Sequence, residues 1–161
     1  MTDTAAPTAA PPRAVGATVR LLAVLVIVAG VVMLVAGAAT WFTVQNQLAD
    51  ERITVSEDAR WFAGEPIDGP LTAYAEAEVI EKHSLEASGG KTYAELDRQD
   101  PTRQTVMTGS FLRSSLFTSV VSFGVAALAM GLGLLLALIG YALLSLARQL
   151  NAVASKPSTA S

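Results

Sequence analysis

The 161-residue chain has no cysteine, one histidine and little charge: only 16% of its residues are Asp, Glu, Lys or Arg. Soluble domains carry about 25%, so the deficit points to lipid before any motif is read. Without cysteine there are no disulfides and no thiolate metal sites, which says nothing about compartment, since an exported domain need not use disulfides. No cluster of Lys or Arg offers a nucleic acid footprint, so nucleic acid is not expected as a partner.

What is abundant is apolar: 52% of residues are hydrophobic and the mean hydropathy is +0.45. Charge is also unevenly placed. Of 14 acidic residues all but Asp3 lie between Asp50 and Asp100, whereas two basic residues precede the first apolar run (Arg13, Arg20) and two follow the last (Arg148, Lys156).

Residues 21–42, LLAVLVIVAGVVMLVAGAATWF, contain no charge. As a helix they reach about 33 Å, enough for a hydrocarbon core of about 30 Å. From Ser114 to Ala147 no residue is charged over 34 positions, about 51 Å of helix and more than one bilayer needs. The Ser- and Thr-rich start, SSLFTSVVS, places the embedded portion at about 116–144. Backbone groups cannot stay unpaired in lipid, so both runs are expected to be helices. Trp41 and Phe42 fall where an aromatic belt is expected, and Arg20, Arg113 and Arg148 bracket the spans.

The expected fold is an all-α membrane protein: a two-transmembrane-helix hairpin with a small, mostly helical extracytoplasmic domain between the spans. Its parts are a disordered cytoplasmic tail at 1–19, a first span at 20–42, the helical domain at 43–113, a second span within 114–147 and a second disordered tail at 148–161. Both tails are rich in Ala, Pro, Ser and Thr and poor in large apolar residues. Short basic tails inside and a long acidic segment outside fit the positive-inside rule, giving a multi-pass protein of the cytoplasmic membrane with both termini in the cytoplasm. A rival reading takes the first run as a cleaved signal peptide, with AGA at 36–38 as the cleavage site; its apolar core is longer than such a segment needs.

Small residues recur every seven positions: Ala23, Gly30 and Gly37 in the first run, and Ala126, Gly133, Gly140 and Ala147 in the second. Seven residues make nearly two helical turns, so each set forms a narrow seam along which backbones can approach. The seams either face each other inside the hairpin or face a protein partner or second copy. Polar residues within the spans are Ser and Thr, among them Thr40, Ser119, Ser122 and Ser145. Ion and proton pathways normally use buried ionisable groups, so transport by this chain alone is not expected; an oligomeric channel lined by hydroxyls is a lesser alternative.

Between the runs, TVQNQLADER is expected to prolong the first helix, with a short helix after Ser56 and a longer amphipathic helix over 71–88. Leu48, Ile53, Trp61, Phe62, Leu71, Tyr74, Ile80, Leu85, Tyr93, Leu96 and Val106 are the candidates for a small core. Gly90-Lys91-Thr92 resembles the end of a phosphate-binding loop, but the position five before Gly90 is Leu85 and a helix precedes it. A turn explains the residues better: Gly89 or Gly90 stops one helix, and Thr92 with Glu95 caps the next, YAELDRQ. No nucleotide is expected. Asp100-Pro101 then suits the start of a helix continuing into the second run. His83 could meet Glu78, Glu81 or Glu86 on its own helix, an arrangement any acidic helix offers; it is taken as a surface residue, and no metal, cofactor or catalytic set is assigned.

Over TWFTVQNQLADERITVSEDARWFAGEPIDGPLTAYAEAEVIEKHSLEASGGKTYAELDRQDPTRQTVMT, residues 40–108, the chain resembles a family of small two-span membrane proteins from actinobacteria. The likeness extends from about Arg20 to Arg148. Members are of unknown function and often carry the label of an aromatic ring-opening dioxygenase. The resemblance implies the membrane hairpin; the label implies an iron held by two histidines and a carboxylate, which a chain with one histidine cannot supply by itself. The expectation is a non-catalytic protein of the lipid bilayer that mediates contact with a protein partner or with itself. An enzyme subunit is the alternative.

Overall fold

The structure, a computed structural model, describes residues 12–154. Among these the order is α1 (Pro12–Asp50), α2 (Pro70–Ala87), a single 3-10 turn at Tyr93–Glu95 and α3 (Arg103–Ala154). No strand forms beyond the isolated bridge between Thr54 and Pro66. α1 and α3 are long and apolar enough to cross a membrane, and only 17% and 22% of their most apolar windows are buried. The core helix of a soluble protein would be mostly buried. Here Leu21, Leu25, Val32, Val35, Leu128, Leu135, Leu138 and Tyr141 all lie more than half exposed.

Both long helices outrun the expected spans. α1 starts at Pro12 rather than after residue 19, with proline at the first position, where its missing N–H costs nothing. α3 runs to Ala154 through ARQLNAVA, whose Ala, Leu, Arg and Gln extend a nucleated helix easily. The stretches 12–19 and 148–154 are therefore helix, not tail; the remaining tail positions, 1–11 and 155–161, lie outside the described residues.

The chain divides into two compact units. In the first, residues 12–35 of α1 pack antiparallel on residues 129–154 of α3. The glycines show how close the backbones come. A Cβ added at Gly30 would lie 2.6 Å from the Gly133 carbonyl oxygen and 2.8 Å from the Ala137 nitrogen; one added at Gly133 would lie 2.6 Å from the Gly30 carbonyl oxygen. The obstacles are backbone atoms, which no rotamer change can move. At Gly140 the Ile27 side chain and the Ala23 carbonyl stand in the way, at 2.6 and 2.9 Å.

The second unit, residues 36–128, holds the end of α1, the loop 51–69, α2, the turn region 88–102 and the start of α3. Its core is Leu48, Val55, Ile67, Ala73, Ala75, Ala77, Leu116 and Phe123, with Trp41, Val44, Ala59, Ile80, Phe117 and Val120 packed against it. Leu48, Leu96 and Val106 are buried as expected, but Ile53, Trp61, Leu71 and Tyr74 face outward. The residues α2 buries are mostly small, Thr72, Ala73, Ala75 and Ala77, together with Val79. Trp41 does not stand free as a belt residue either: its ring meets that of buried Phe123 edge to face, 4.7 Å between centroids.

The helix expected after Ser56 is absent. Turns and an open loop run from 51 to 69, closed by Val55 N–H to Glu65 carbonyl (2.9 Å), Gly64 N–H to Val55 carbonyl (2.9 Å) and Ile67 N–H to Ile53 carbonyl (3.0 Å). YAELDRQ shortens to its 3-10 turn, since the Arg103 guanidinium takes the Leu96 carbonyl (2.5 Å) and the Tyr93 carbonyl (3.3 Å) that a longer helix would have used. α3 proper begins two residues after Pro101, while Asp100 still caps its entry by accepting the Thr102 N–H (2.8 Å) and hydroxyl (2.6 Å).

Gly133→Leu should push the two backbones of the first unit apart and lower stability in detergent by about 1–3 kcal/mol, the usual cost of overpacking. Gly131→Leu, at a site with nothing within 4 Å, should change the melting temperature little. Equal losses in the two variants would refute the close-approach account.

Candidate functional site

The seven seam positions are all buried. Ala23, Gly30, Gly133, Gly140 and Ala147 belong to the first unit, where the Gly30 and Gly133 faces are occupied by each other; Gly37 and Ala126 are buried in the second. Gly16, seven residues before Ala23, is buried opposite the side chain of Asn151. The same spacing would have found it, had the tail not been taken as disordered. With the glycine faces used inside the chain, surfaces for another molecule must be sought elsewhere.

Five hydroxyls in or beside the apolar runs are also occupied. Thr40 donates to the Ala36 carbonyl (3.0 Å), Thr43 to Ala39 (2.8 Å), Thr118 to Ser114 (2.8 Å), Ser119 to Ser115 (3.4 Å) and Ser122 to Thr118 (2.8 Å). Each satisfies itself on its own helix one turn back, a bond that Thr108 and Ser110 also make.

In the second unit the loop 51–69 is tied to α2 at two points. The Glu76 carboxylate accepts the Ser56 N–H (2.7 Å) and hydroxyl (3.0 Å). One turn and a half further along α2, Asp58 Oδ2 receives the Lys82 ammonium at 2.7 Å and lies 3.0 Å from His83 Nε2. The hydrogen bonds from Lys82 and then His83 hold Asp58 below the usual carboxylate range, and the bond to Asp58 raises Lys82. The carboxylate His83 meets is thus on the loop, not on its own helix as the sequence suggested, and an ammonium already shares it. Among the described residues no three His, Cys, Asp or Glu side chains gather as a metal site. Beside this pair runs an open groove of about 770 Å³, lined by Asp58, Arg60, Trp61, Glu78, Glu81, Lys82, Leu85 and Glu86.

Gly89 and Gly90 end α2. Both have positive φ, 66° and 86°; the Gly90 N–H reaches back to the Leu85 carbonyl (2.7 Å) and the Gly89 N–H to the Glu86 carbonyl (3.3 Å). This is the paired bonding of a glycine helix stop. Glu95 then accepts the N–H and hydroxyl of Thr92, each at 2.8 Å, so Gly-Gly-Lys-Thr closes one helix and opens a 3-10 turn.

A third feature escaped the sequence reading. Arg60, Trp61, Phe62, Leu71, Tyr74 and Glu78 line an outward hollow of about 370 Å³. Phe62 holds φ at 60°, closing a turn in which the Glu65 N–H bonds its carbonyl at 2.9 Å. A left-handed aromatic residue costs about 1–3 kcal/mol and persists only where its surroundings fix it. The signal in the sequence was aromatic residues beside Gly64, Pro66, Gly69 and Pro70; read as core, they were assigned to the wrong side.

Glu76→Ala should free the loop from α2 and cost about 1.5–3 kcal/mol, the range for hydrogen bonds to a charged group, with Glu76→Gln retaining part of it; amide exchange over 53–67 reads both. Because Asp58 titrates lower folded than unfolded, its contribution is complete above the ordinary carboxylate range and fades as pH falls through its lowered value. Lys82, titrating higher when folded, contributes fully below the ordinary lysine range and loses its share as pH rises through its raised value. Loop protection, corrected for intrinsic exchange, should therefore weaken as pH falls below the ordinary carboxylate range and as it rises above the ordinary lysine range.

No protein-family profile, curated protein or solved structure matches the chain, so its function is read from these surfaces.

Proposed function

We propose that this chain is a non-catalytic integral protein of the cytoplasmic membrane, a two-span hairpin with both termini in the cytoplasm and residues 43–113 outside, acting by contact with another protein or a second copy of itself. The observation that carries the reading is the outward apolar surface of α1 and α3. In water such a continuous patch drives aggregation; in lipid it is the required surface. The matched glycines at 30 and 133 favour a retained first span over a cleaved signal, which has no need of a packing partner.

Span length supports the same picture. Leu116 and Phe123 are 6% and 1% exposed within the core of the second unit, which moves the embedded start from 116 to about 124. The remainder to Ala147 spans about 36 Å as helix, close to the roughly 33 Å of residues 21–42. Of the basic residues beside the middle segment, Arg103 is held by two carbonyls and the Tyr93 ring, and Arg113 pairs with Glu81 at 2.8 Å. Arg20 and Arg148 flank the spans on the side of the termini, the positive charge expected of a cytoplasmic side. Contact is the favoured mode of action because carboxylates outnumber cations in the open groove along α2, Asp58, Glu78, Glu81 and Glu86 against Arg60 and Lys82. The carboxylate nearest the only histidine is meanwhile occupied by Lys82.

Orientation is tested by Ala87→Cys, on an exposed position of the last turn of α2, in a chain otherwise free of cysteine. A membrane-impermeant maleimide should label intact cells; protection until lysis would reverse the topology. Crosslinking in mild detergent should give a discrete oligomer or a stoichiometric complex. A strictly monomeric protein with no bound partner would overturn the contact reading.

A further inference from the structure

Large apolar side chains held outward from a folded loop need an environment. Trp61 and Leu71 are 60% and 66% exposed, Tyr74 44% and Phe62 37%, and together they form one surface with Arg60 at its edge. Three contacts fix where this surface lies along α3. Ser84 faces Gly109, Glu81 pairs with Arg113, and the Tyr74 ring meets Phe117 at 5.7 Å. α2 therefore runs antiparallel to α3, its first turn lying toward the long apolar run. Leu71, one turn before Tyr74, falls at the level of about Val120–Val121. From there α3 continues outward with Val121, Val125 and Leu128, each about 60% exposed. The patch thus borders, without a break, the surface assigned to lipid.

We infer that Trp61, Phe62, Leu71 and Tyr74 are an interfacial anchor, seated in the headgroup layer of the bilayer on the side of the middle segment, with Arg60 toward lipid phosphates. The inference rests on the membrane reading above. Trp and Tyr concentrate at this depth because an apolar ring and a polar tip are both satisfied there, and arginine lays its stem on apolar surface with its charge in water. Asp68, exposed two residues before α2, sets the limit: the loop reaches the headgroups but not the hydrocarbon. The strained φ of 60° at Phe62 has a use on this account, since it turns the loop so that two consecutive aromatics share one surface. Continuity with the outward face of α3 favours lipid over a protein as the occupant.

The test uses the full chain at low density in phosphatidylcholine vesicles. Trp41→Phe leaves Trp61 as the sole tryptophan. Its emission should be blue-shifted and quenched several-fold more by lipids brominated near the headgroup than by acrylamide. Val32→Trp, in a chain with Trp41 and Trp61 both changed to Phe, reports the span itself and should be quenched by lipids brominated deep in the acyl chain. Acrylamide quenching of Trp61 with no effect of bromine, while Val32→Trp still reports lipid, overturns the anchor and leaves the hairpin standing; loss of quenching at Val32→Trp refutes the hairpin as well. Protection of Trp61 from both quenchers means that protein covers the patch and also overturns the anchor. Phe62→Gly, which relieves the left-handed strain, should keep the helical content and the Val32→Trp signal while cutting bromine quenching of Trp61. Unchanged quenching in that variant would count against a shared surface.

Discussion

Leu21, Leu25, Val32 and Val35 on α1, and Leu135, Leu138 and Tyr141 on α3, turn hydrocarbon outward over most of their surface, and that constraint governs what the rest of the chain can do. In the proposed bilayer an outward face of this kind would bring no water to the backbone, so amides and hydroxyls would have to be satisfied within the helix. Thr40 meets that need by bonding the Ala36 carbonyl one turn behind it. Nor would the hydrophobic effect hold two such helices together there, since a lipid tail is as apolar as leucine. What remains is close van der Waals contact, and the absence of side chains at Gly30 and Gly133 allows it.

The same constraint inverts the ordinary rule for finding a core. In the first unit the buried residues are Gly16, Ala23, Gly30, Gly133, Gly140 and Ala147, while the largest side chains face out. α2 repeats the inversion, burying Ala73, Ala75 and Ala77 and exposing Leu71 and Tyr74. The seams were legible because a period of seven is visible whatever the residues do. Both long helices, the extent of α2, its glycine stop and the Thr92–Glu95 cap were legible too, each written in residues near one another in the chain. The core of the second unit was not. Apolar size predicts burial there, yet Ile53, Trp61, Phe62, Leu71 and Tyr74 lie exposed.

The other misreadings share a cause in long-range bonding. Ser56 carries the signal of a helix start, yet it spends its N–H and hydroxyl on Glu76, twenty residues away. YAELDRQ holds good helix formers behind a sound cap, yet Arg103 claims the Tyr93 and Leu96 carbonyls. Local propensities are worth tenths of a kcal/mol per residue, whereas a hydrogen bond to a charged group contributes about 1.5–3 kcal/mol. A single such partner is enough to cancel a short helix, and nothing within the local window announces it.

The uncharged length of α3 shows how one sequence signal can have two causes. A bilayer imposes nearly the same thickness on both spans of a hairpin, yet one charge-free run covers 22 positions and the other 34. Leu116, Phe117, Val120 and Phe123 account for the difference: they pack with Val55, Ile67 and the alanines of α2, and are uncharged because they are covered by protein. The residues beyond them are uncharged and outward, as the proposed bilayer would require. Hydropathy scores both stretches alike, and the contact of Tyr74 with Phe117 marks the region where one cause gives way to the other. An aromatic loop at that height has protein on one side and the proposed headgroup layer on the other, which accounts for outward Trp61 and Leu71 without requiring a missing core.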